Sequence, residues 1–204
     1  MGVMHRQPLL LIAVLAALTS TVLSACTGGT AHRPATATAT ATAATPTMAH
    51  ATGPVGSPGH PVVFGCAEQS FGGDTAVRGR PQPGDLAIGP LIIPGGQRLA
   101  TADPAGYGEH GSYKIAFIVT MGATVTVTIG PPARGHVVIS NSYVSAGVTA
   151  ATYQPCPHQV GFFPQYLAFT GGQVRGCVPL EVQAGDQPRV RRVTLSLFAG
   201  SCSG

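Results

Sequence analysis

Charged residues are scarce in this sequence, and their scarcity excludes several classes of protein. Only 9% of the 204 residues are charged, against about 25% in a typical soluble protein. The seven acidic residues offer few ways to build a carboxylate active site. The net charge of +4 is too small for a strongly basic nucleic-acid-binding protein, so we expect no nucleic acid among the partners.

Tryptophan is absent and aromatic residues make up only 6% of the chain, whereas there are 28 glycines and 18 prolines. Because glycine and proline disfavour helices, a long helical bundle is excluded. The absence of tryptophan also excludes the Cys–Trp–Cys arrangement of antibody domains.

Common catalytic motifs are missing too: the chain has no G-x-S-x-G, H-E-x-x-H or P-loop sequence. Glu109 stands beside His110 in a glycine-rich loop, where a carboxylate can orient a general base. No positioned nucleophile accompanies this pair, and we expect an ordinary solvated loop. We therefore predict no catalytic residue, and an exported enzyme remains only an alternative.

Residues 1–25 have the order of a signal peptide: a positive start with Arg6, then an apolar stretch over residues 9–18. That stretch is shorter than the roughly 20 residues of a membrane-spanning helix. Its end, Leu23-Ser24-Ala25-Cys26, resembles the lipobox of bacterial lipoproteins, Leu-[Ala/Ser/Thr/Val]-[Gly/Ala]-Cys.

The lipobox resemblance implies that the Cys26 thiol carries diacylglycerol and that cleavage makes Cys26 the mature N-terminus. Two acyl chains, palmitate among the usual ones, give a stable membrane anchor. The expected location is the outer face of the cell membrane, with an extracellular domain. The alternative is a plain secretory signal that ends in a chance cysteine.

Residues 26–60 are predicted to be a disordered linker. Ala and Thr alternate over residues 35–42, prolines punctuate the segment, and few large apolar side chains occur. A coil of this length would span about 30–35 Å on average and lift the domain off the lipid surface. The linker is either an unmodified spacer or a site of O-glycosylation.

Residues 61–204 show β-periodicity throughout, most clearly at 124–129 and 193–197, where apolar and polar residues alternate. We expect an all-β immunoglobulin-like or related Greek-key sandwich of about nine short strands. The predicted strands are residues 61–66, 86–93, 114–121, 124–129, 136–143, 148–153, 166–169, 178–182 and 193–197. Gly122 is expected at the first central position of a tight turn, and Pro179 indicates an edge strand.

The cysteines other than Cys26 suggest two disulfides, for which three pairings exist. We favour Cys66–Cys202, which would join the ends of the domain, together with Cys156–Cys177. The chain has no C-x₂-C unit of a structural zinc site.

Three further clusters are candidates for binding. Cys156, His158 and His136 would form a soft, copper-type site in a metal-handling protein, although we expect no metal or cofactor. Arg189 and Arg191 share a face before the last strand, with Arg192 on the other, and offer either contact with anionic lipid or wall polymer or a solvated strand start. The aromatic residues are expected to cap the core rather than contact carbohydrate; they are Phe162, Phe163, Tyr166 and Phe169.

Residues 84–204 resemble a group of exported actinobacterial proteins to which no activity is assigned. The features that carry the likeness are Gly89-Pro90-Leu91, Lys114 opening a hydrophobic strand, Gly122 with residues 124–128, Cys156, Gly171-Gly172, residues 177–180 and Cys202. The resemblance implies a secreted β-domain and no reaction. The sequence thus predicts a non-catalytic lipoprotein that binds a protein partner, a wall polymer or a ligand.

Overall fold

The computed structural model describes residues 53–70, 79–185, 187 and 189–203. The predicted signal peptide, Cys26 and the linker up to residue 52 lie outside this part of the chain. No helix among the described residues is long and apolar enough to cross a bilayer.

Two β-sheets contain most of the regular structure. The first has the strand order β1-β8-β6-β10-β11, and the second has the order β2-β3-β5-β9-β7 with β4 added beside β5. The strands are β1 Val62–Phe64, β2 Leu86–Ile88, β3 Leu91–Ile93, β4 Gly108–Glu109, β5 Ser112–Val119, β6 Val125–Ile129, β7 Val137–Ser140, β8 Ala150–Tyr153, β9 Gly161–Phe169, β10 Gly176–Ala184 and β11 Val190–Leu197. Single-turn 3₁₀ helices cover Cys66–Glu68, Pro104–Gly106 and Pro131–Ala133.

The predicted all-β sandwich is confirmed, and every predicted strand segment contains a strand. Alternation of apolar and polar residues predicted β6 because apolar side chains two residues apart share its core-facing side: Val125, Val127 and Ile129 are fully buried. Most of the buried hydrophobic side chains, from both sheets, form one core cluster. Its largest members include Tyr153, Phe64, Phe117, Phe163 and Leu91.

Residues 86–93, expected as one strand, form the β2–β3 hairpin. Leu86 pairs with Ile93 and Ile88 with Leu91, which leaves Gly89 and Pro90 as a two-residue loop. Gly89 has a φ of 60°, and a positive φ at the first loop position matches a type II′ turn, which follows the twist of the strands.

The turn after β5 differs from its prediction. The Ala123 amide donates to the Thr120 carbonyl at 3.2 Å, so Gly122, with a φ of 74°, occupies the second central position rather than the first. This turn carries the chain from one sheet to the other, since β5 and β6 belong to different sheets.

Residues 53–60, predicted as the end of the linker, contact the β-domain. The Gly56 carbonyl accepts hydrogen bonds from the amides of Thr149 and Ala150, both at 2.9 Å. A Cβ on Gly56 would collide with Val148, so only glycine permits this approach. The ordered domain therefore begins before Pro61.

Pro179 is not on an edge, because β10 lies between β6 and β11. The edge prediction was wrong for a local reason. The Pro179 carbonyl accepts from the Gly130 amide at 2.7 Å, just beyond the end of β6. The missing N–H of Pro179 points to the same side, where the β6 ladder has ended, so no sheet hydrogen bond is lost.

The four cysteines other than Cys26 form two disulfides as predicted, but the favoured pairing was wrong. Cys66 is bonded to Cys156, and Cys177 is bonded to Cys202. The separations along the chain are 90 and 25 residues.

Strand topology explains both bonds. Strand β1 runs parallel to β8, with Phe64 beside Tyr153, so the residues that follow the two strands come together at one end. Strand β11 runs antiparallel to β10, with Cys177 opposite Ser196, and this places Cys177 near the segment that follows β11. The sequence indicated the strands but not these partners.

Candidate functional site

The candidate catalytic pair lies at the tip of the β4–β5 hairpin. The His110 Nε2 atom is 3.6 Å from a Glu109 carboxylate oxygen, and the two side chains are 95% and 83% exposed. His110 and Gly111, with φ angles of 54° and 80°, fill a two-residue loop in which positive φ at both positions is typical of a type I′ turn. Such an exposed ion pair contributes little to the stability of the fold.

The copper-type site is contradicted by the structure. Cys156 is bonded to Cys66, so it has no thiolate to offer a soft metal. Within the described residues no group of three or more histidine, cysteine or acidic side chains is placed to hold a metal ion.

The aromatic residues of β9 divide by the alternation of the strand. Phe163 is fully buried, and Phe162 and Phe169 are half-buried. Tyr166 is 38% exposed. Phe163 belongs to the core cluster and Phe169 packs against it, as the sequence predicted, whereas Phe162 and Tyr166 are not part of that cluster.

The arginine cluster is divided between the two faces of β11. Arg192 lies opposite Glu181 on β10, and its Nε donates to the carboxylate at 3.0 Å. Arg134 also approaches Glu181, at 3.5 Å. Arg192 is thus paired with a carboxylate that it shares with Arg134, on the outer face of the sheet.

Arg191 points to the other side, on the face that buries Leu195 and Leu197 further along β11. At the start of the strand this face is open, and Arg191 reaches the β2–β3 turn. A Cβ added to Gly89 would lie 3.4 Å from the Arg191 Nε. The packing therefore brings residues that are about a hundred positions apart in sequence into contact.

Two clefts meet at Arg191. The first, of about 420 Å³, lies between the edge strands β2 and β11 and is lined by residues 87–88 and 189–193. The second, of about 450 Å³, is lined by Pro90, residues 122–124, residues 184–185, Gln187 and Arg191. We refer to the two together as the arginine cleft.

The described lining of the arginine cleft has few side chains that could take part in catalysis, and glycines expose part of its main chain. Its described lining contains guanidinium groups, one amide, one threonine hydroxyl and apolar side chains, with no carboxylate, imidazole or thiol. Gly122 and Gly185 have positive φ angles, and a Cβ on either would meet no atom of the described residues within 4 Å, apart from chain neighbours. The arrangement can bind a ligand, but it offers no evident acid, base or strong nucleophile.

The sequence predicted that Arg189 and Arg191 share a face, but it did not reveal the cleft. Gly89, Gly122 and Gly185 belong to three different connections, which only the packing of the sheets brings together. The available signal was the Gly89-Pro90 pair, which indicates a turn but not what the turn contacts.

Comparisons of the chain with family models, with curated proteins and with solved structures find no match.

Proposed function

We propose that this protein is a lipoprotein whose non-catalytic β-sandwich binds a ligand outside the cell membrane, to which diacylglycerol on Cys26 attaches it. The lipobox sequence Leu23-Ser24-Ala25-Cys26 supports the anchor. The two disulfides support export, because such bonds persist mainly in oxidising compartments.

The observation that carries the binding function is the arginine cleft. Arg189 and Arg191 present exposed guanidinium groups in a cleft whose other described side chains cannot transfer protons near neutral pH. Its two parts have the volume of small-ligand sites, about 300–1,000 Å³. A binding domain uses such a surface directly, whereas an enzyme would need an acid, a base or a nucleophile beside it.

The anchor is tested by labelling cells with a radioactive fatty acid. The wild-type protein is expected to incorporate label and Cys26→Ala to incorporate none. Ser24→Ala is the matched control, because alanine is also accepted at that lipobox position, and it is expected to keep the label. Labelled Cys26→Ala protein would overturn the anchor.

A further inference from the structure

We propose that the arginine cleft is a phosphate-binding site, in which Arg189 and Arg191 hold one phosphate group. This inference rests on the proposed binding function and names its ligand class. The phosphate belongs either to an anionic lipid headgroup or to a soluble phosphate polymer, and the test below separates these sources.

The first step of the argument is placement. Strands β2 and β11 are edge strands of different sheets, and the cleft between them is lined by both arginines. Residues two apart in an extended chain lie about 7 Å apart on the same side. Two guanidinium groups on flexible stems at that spacing can converge on one anion.

The second step is charge compensation. Each described carboxylate has a partner elsewhere: Glu68, Asp85 and Asp103 accept backbone amides, Glu109 lies beside His110, and Glu181 pairs with Arg134 and Arg192.

Neither Arg189 nor Arg191 forms a side-chain hydrogen bond or ion pair with any residue in the described part of the chain. Asp74 and Asp186 lie outside that part. Two neighbouring positive charges without a described counter-ion attract an anion from solution.

The third step is shape. At Gly122 and Gly185 a Cβ would have no described residue within 4 Å apart from chain neighbours, so the backbone is open on this side. Gly89 lies against the Arg191 side chain, since a Cβ at this position would be in ordinary contact with the Arg191 Nε at 3.4 Å. Glycine at such positions lets a ligand or a side chain approach the main chain closely.

The ligand class follows from the number of donors. One arginine fork already satisfies a carboxylate through two parallel hydrogen bonds. A phosphate group carries more acceptor oxygens, arranged tetrahedrally, and can accept from two forks that approach from different directions. Two converging arginines therefore favour phosphate over carboxylate.

The test uses chain 26–204 with its disulfides formed and Cys26→Ser to prevent lipidation. The probes are soluble polyphosphate, followed by calorimetry, and vesicles of phosphatidylcholine with or without phosphatidylglycerol, followed by co-sedimentation. The cleft variant is Arg189→Ala/Arg191→Ala. Arg175→Ala is the control, because Arg175 is exposed and precedes β10 at its other end, about 20 Å along the strand from the residue paired with Arg191.

We expect the cleft variant to bind at least tenfold more weakly than wild type, and Arg175→Ala to remain within twofold. Arg191→Lys keeps the charge but loses the fork, and an intermediate affinity is expected. Asp186→Asn is expected to bind at least as tightly as wild type, because it removes a negative charge near the site in sequence.

Binding of polyphosphate but not of vesicles would assign the phosphate to a soluble polymer, and binding only of vesicles with phosphatidylglycerol would assign it to lipid. The inference is wrong if wild type binds neither probe at low salt, or if Arg175→Ala loses as much affinity as the cleft variant. Fatty-acid labelling of Cys26 is unaffected by either result, so the anchor is judged separately.

Discussion

At the scale of single residues, the ring of Tyr153 packs against three other aromatic rings in the core. Its ring centroid lies 5.5 Å from that of Phe64, 5.4 Å from Phe117 and 5.2 Å from Phe163. The hydroxyl is buried and has no hydrogen-bond partner among the described residues. Burial removes water from the phenol and raises the pKa of Tyr153 well above its ordinary value of 10.0.

Replacing Tyr153 by Phe is expected to keep or raise stability. The ring contacts remain, and a buried polar group without a partner costs about 1–3 kcal/mol, so the variant should gain on the order of 1 kcal/mol of unfolding free energy. Urea denaturation measures this change.

Tyr113→Phe is the matched control, because the Tyr113 hydroxyl donates to the Val174 carbonyl at 2.6 Å. It is expected to lose about 1 kcal/mol. A loss of that size in Tyr153→Phe would mean that the buried hydroxyl has a partner.

The raised pKa of Tyr153 also predicts a pH dependence. Above pH 10 the unfolded chain loses this proton while the folded chain keeps it, so the folded state binds more protons and stability falls as the pH rises. One group contributes a slope of about 1.4 kcal/mol per pH unit. The wild type should therefore lose more stability between pH 10 and 11 than Tyr153→Phe, and equal losses would contradict the account.

At the scale of elements, the disulfides connect strand ends that hydrogen bonds have already brought close. The Cys66–Cys156 bond closes a span of 90 residues and the Cys177–Cys202 bond one of 25. The two spans do not overlap, so each restricts its own part of the unfolded chain.

Removing the longer link is expected to destabilise the domain more. Without a disulfide the unfolded chain regains conformational entropy, which lowers the free energy of unfolding. The expected loss is about 4–5 kcal/mol for Cys66→Ala/Cys156→Ala and about 3–4 kcal/mol for Cys177→Ala/Cys202→Ala. Chemical denaturation of both double variants measures the difference. Peptide mapping without reduction should first recover the Cys66–Cys156 and Cys177–Cys202 peptides. A peptide linked through Cys66 and Cys202 would show that this disulfide pairing is wrong.

The β2–β3 turn depends on Gly89. Its φ of 60° suits glycine, and an alanine there is expected to cost about 1–2 kcal/mol of unfolding free energy. Gly106→Ala is the control, since Gly106 does not have a positive φ and a Cβ there meets nothing within 4 Å. Gly89→Asn should lose less than Gly89→Ala, because asparagine tolerates positive φ. Equal stability of all three variants would contradict the turn geometry.

At the scale of the whole molecule, the strands could be predicted from local sequence patterns, whereas the pairing of distant strands could not. Alternation at residues 124–129 and 193–197 was sufficient to predict strands, because each residue's burial follows from its neighbours along the strand. The parallel pairing of β1 with β8 was not predictable, since it depends on how strands far apart in sequence are ordered within one sheet. The wrong disulfide pairing and the wrong edge assignment of Pro179 both follow from that missing information.

The candidate site shows the same division. The sequence predicted that Arg189 and Arg191 share a face, and the Gly89-Pro90 pair indicated a turn. Their contact was not, because no sequence pattern relates β2 to β11. The ion pair between Arg192 and Glu181 became evident only from the register of β10 and β11.

The few charged residues are unevenly distributed over the molecule. Without Arg6 the proposed mature chain carries ten basic and seven acidic side chains, a net charge of +3. The acidic residues in the described part are occupied by backbone amides, His110 or other arginines. Arg189 and Arg191, which form no ion pair within the described residues, are two neighbouring positive charges beside the edge strands β2 and β11.

The central claim, a β-domain held at the membrane by a lipid on Cys26, is tested most directly by the intact mass of protein extracted from cell membranes. The account predicts a chain that begins at Cys26 and carries the added mass of a diacylglyceryl group. A chain that begins at another residue, or an unmodified Cys26, would contradict it.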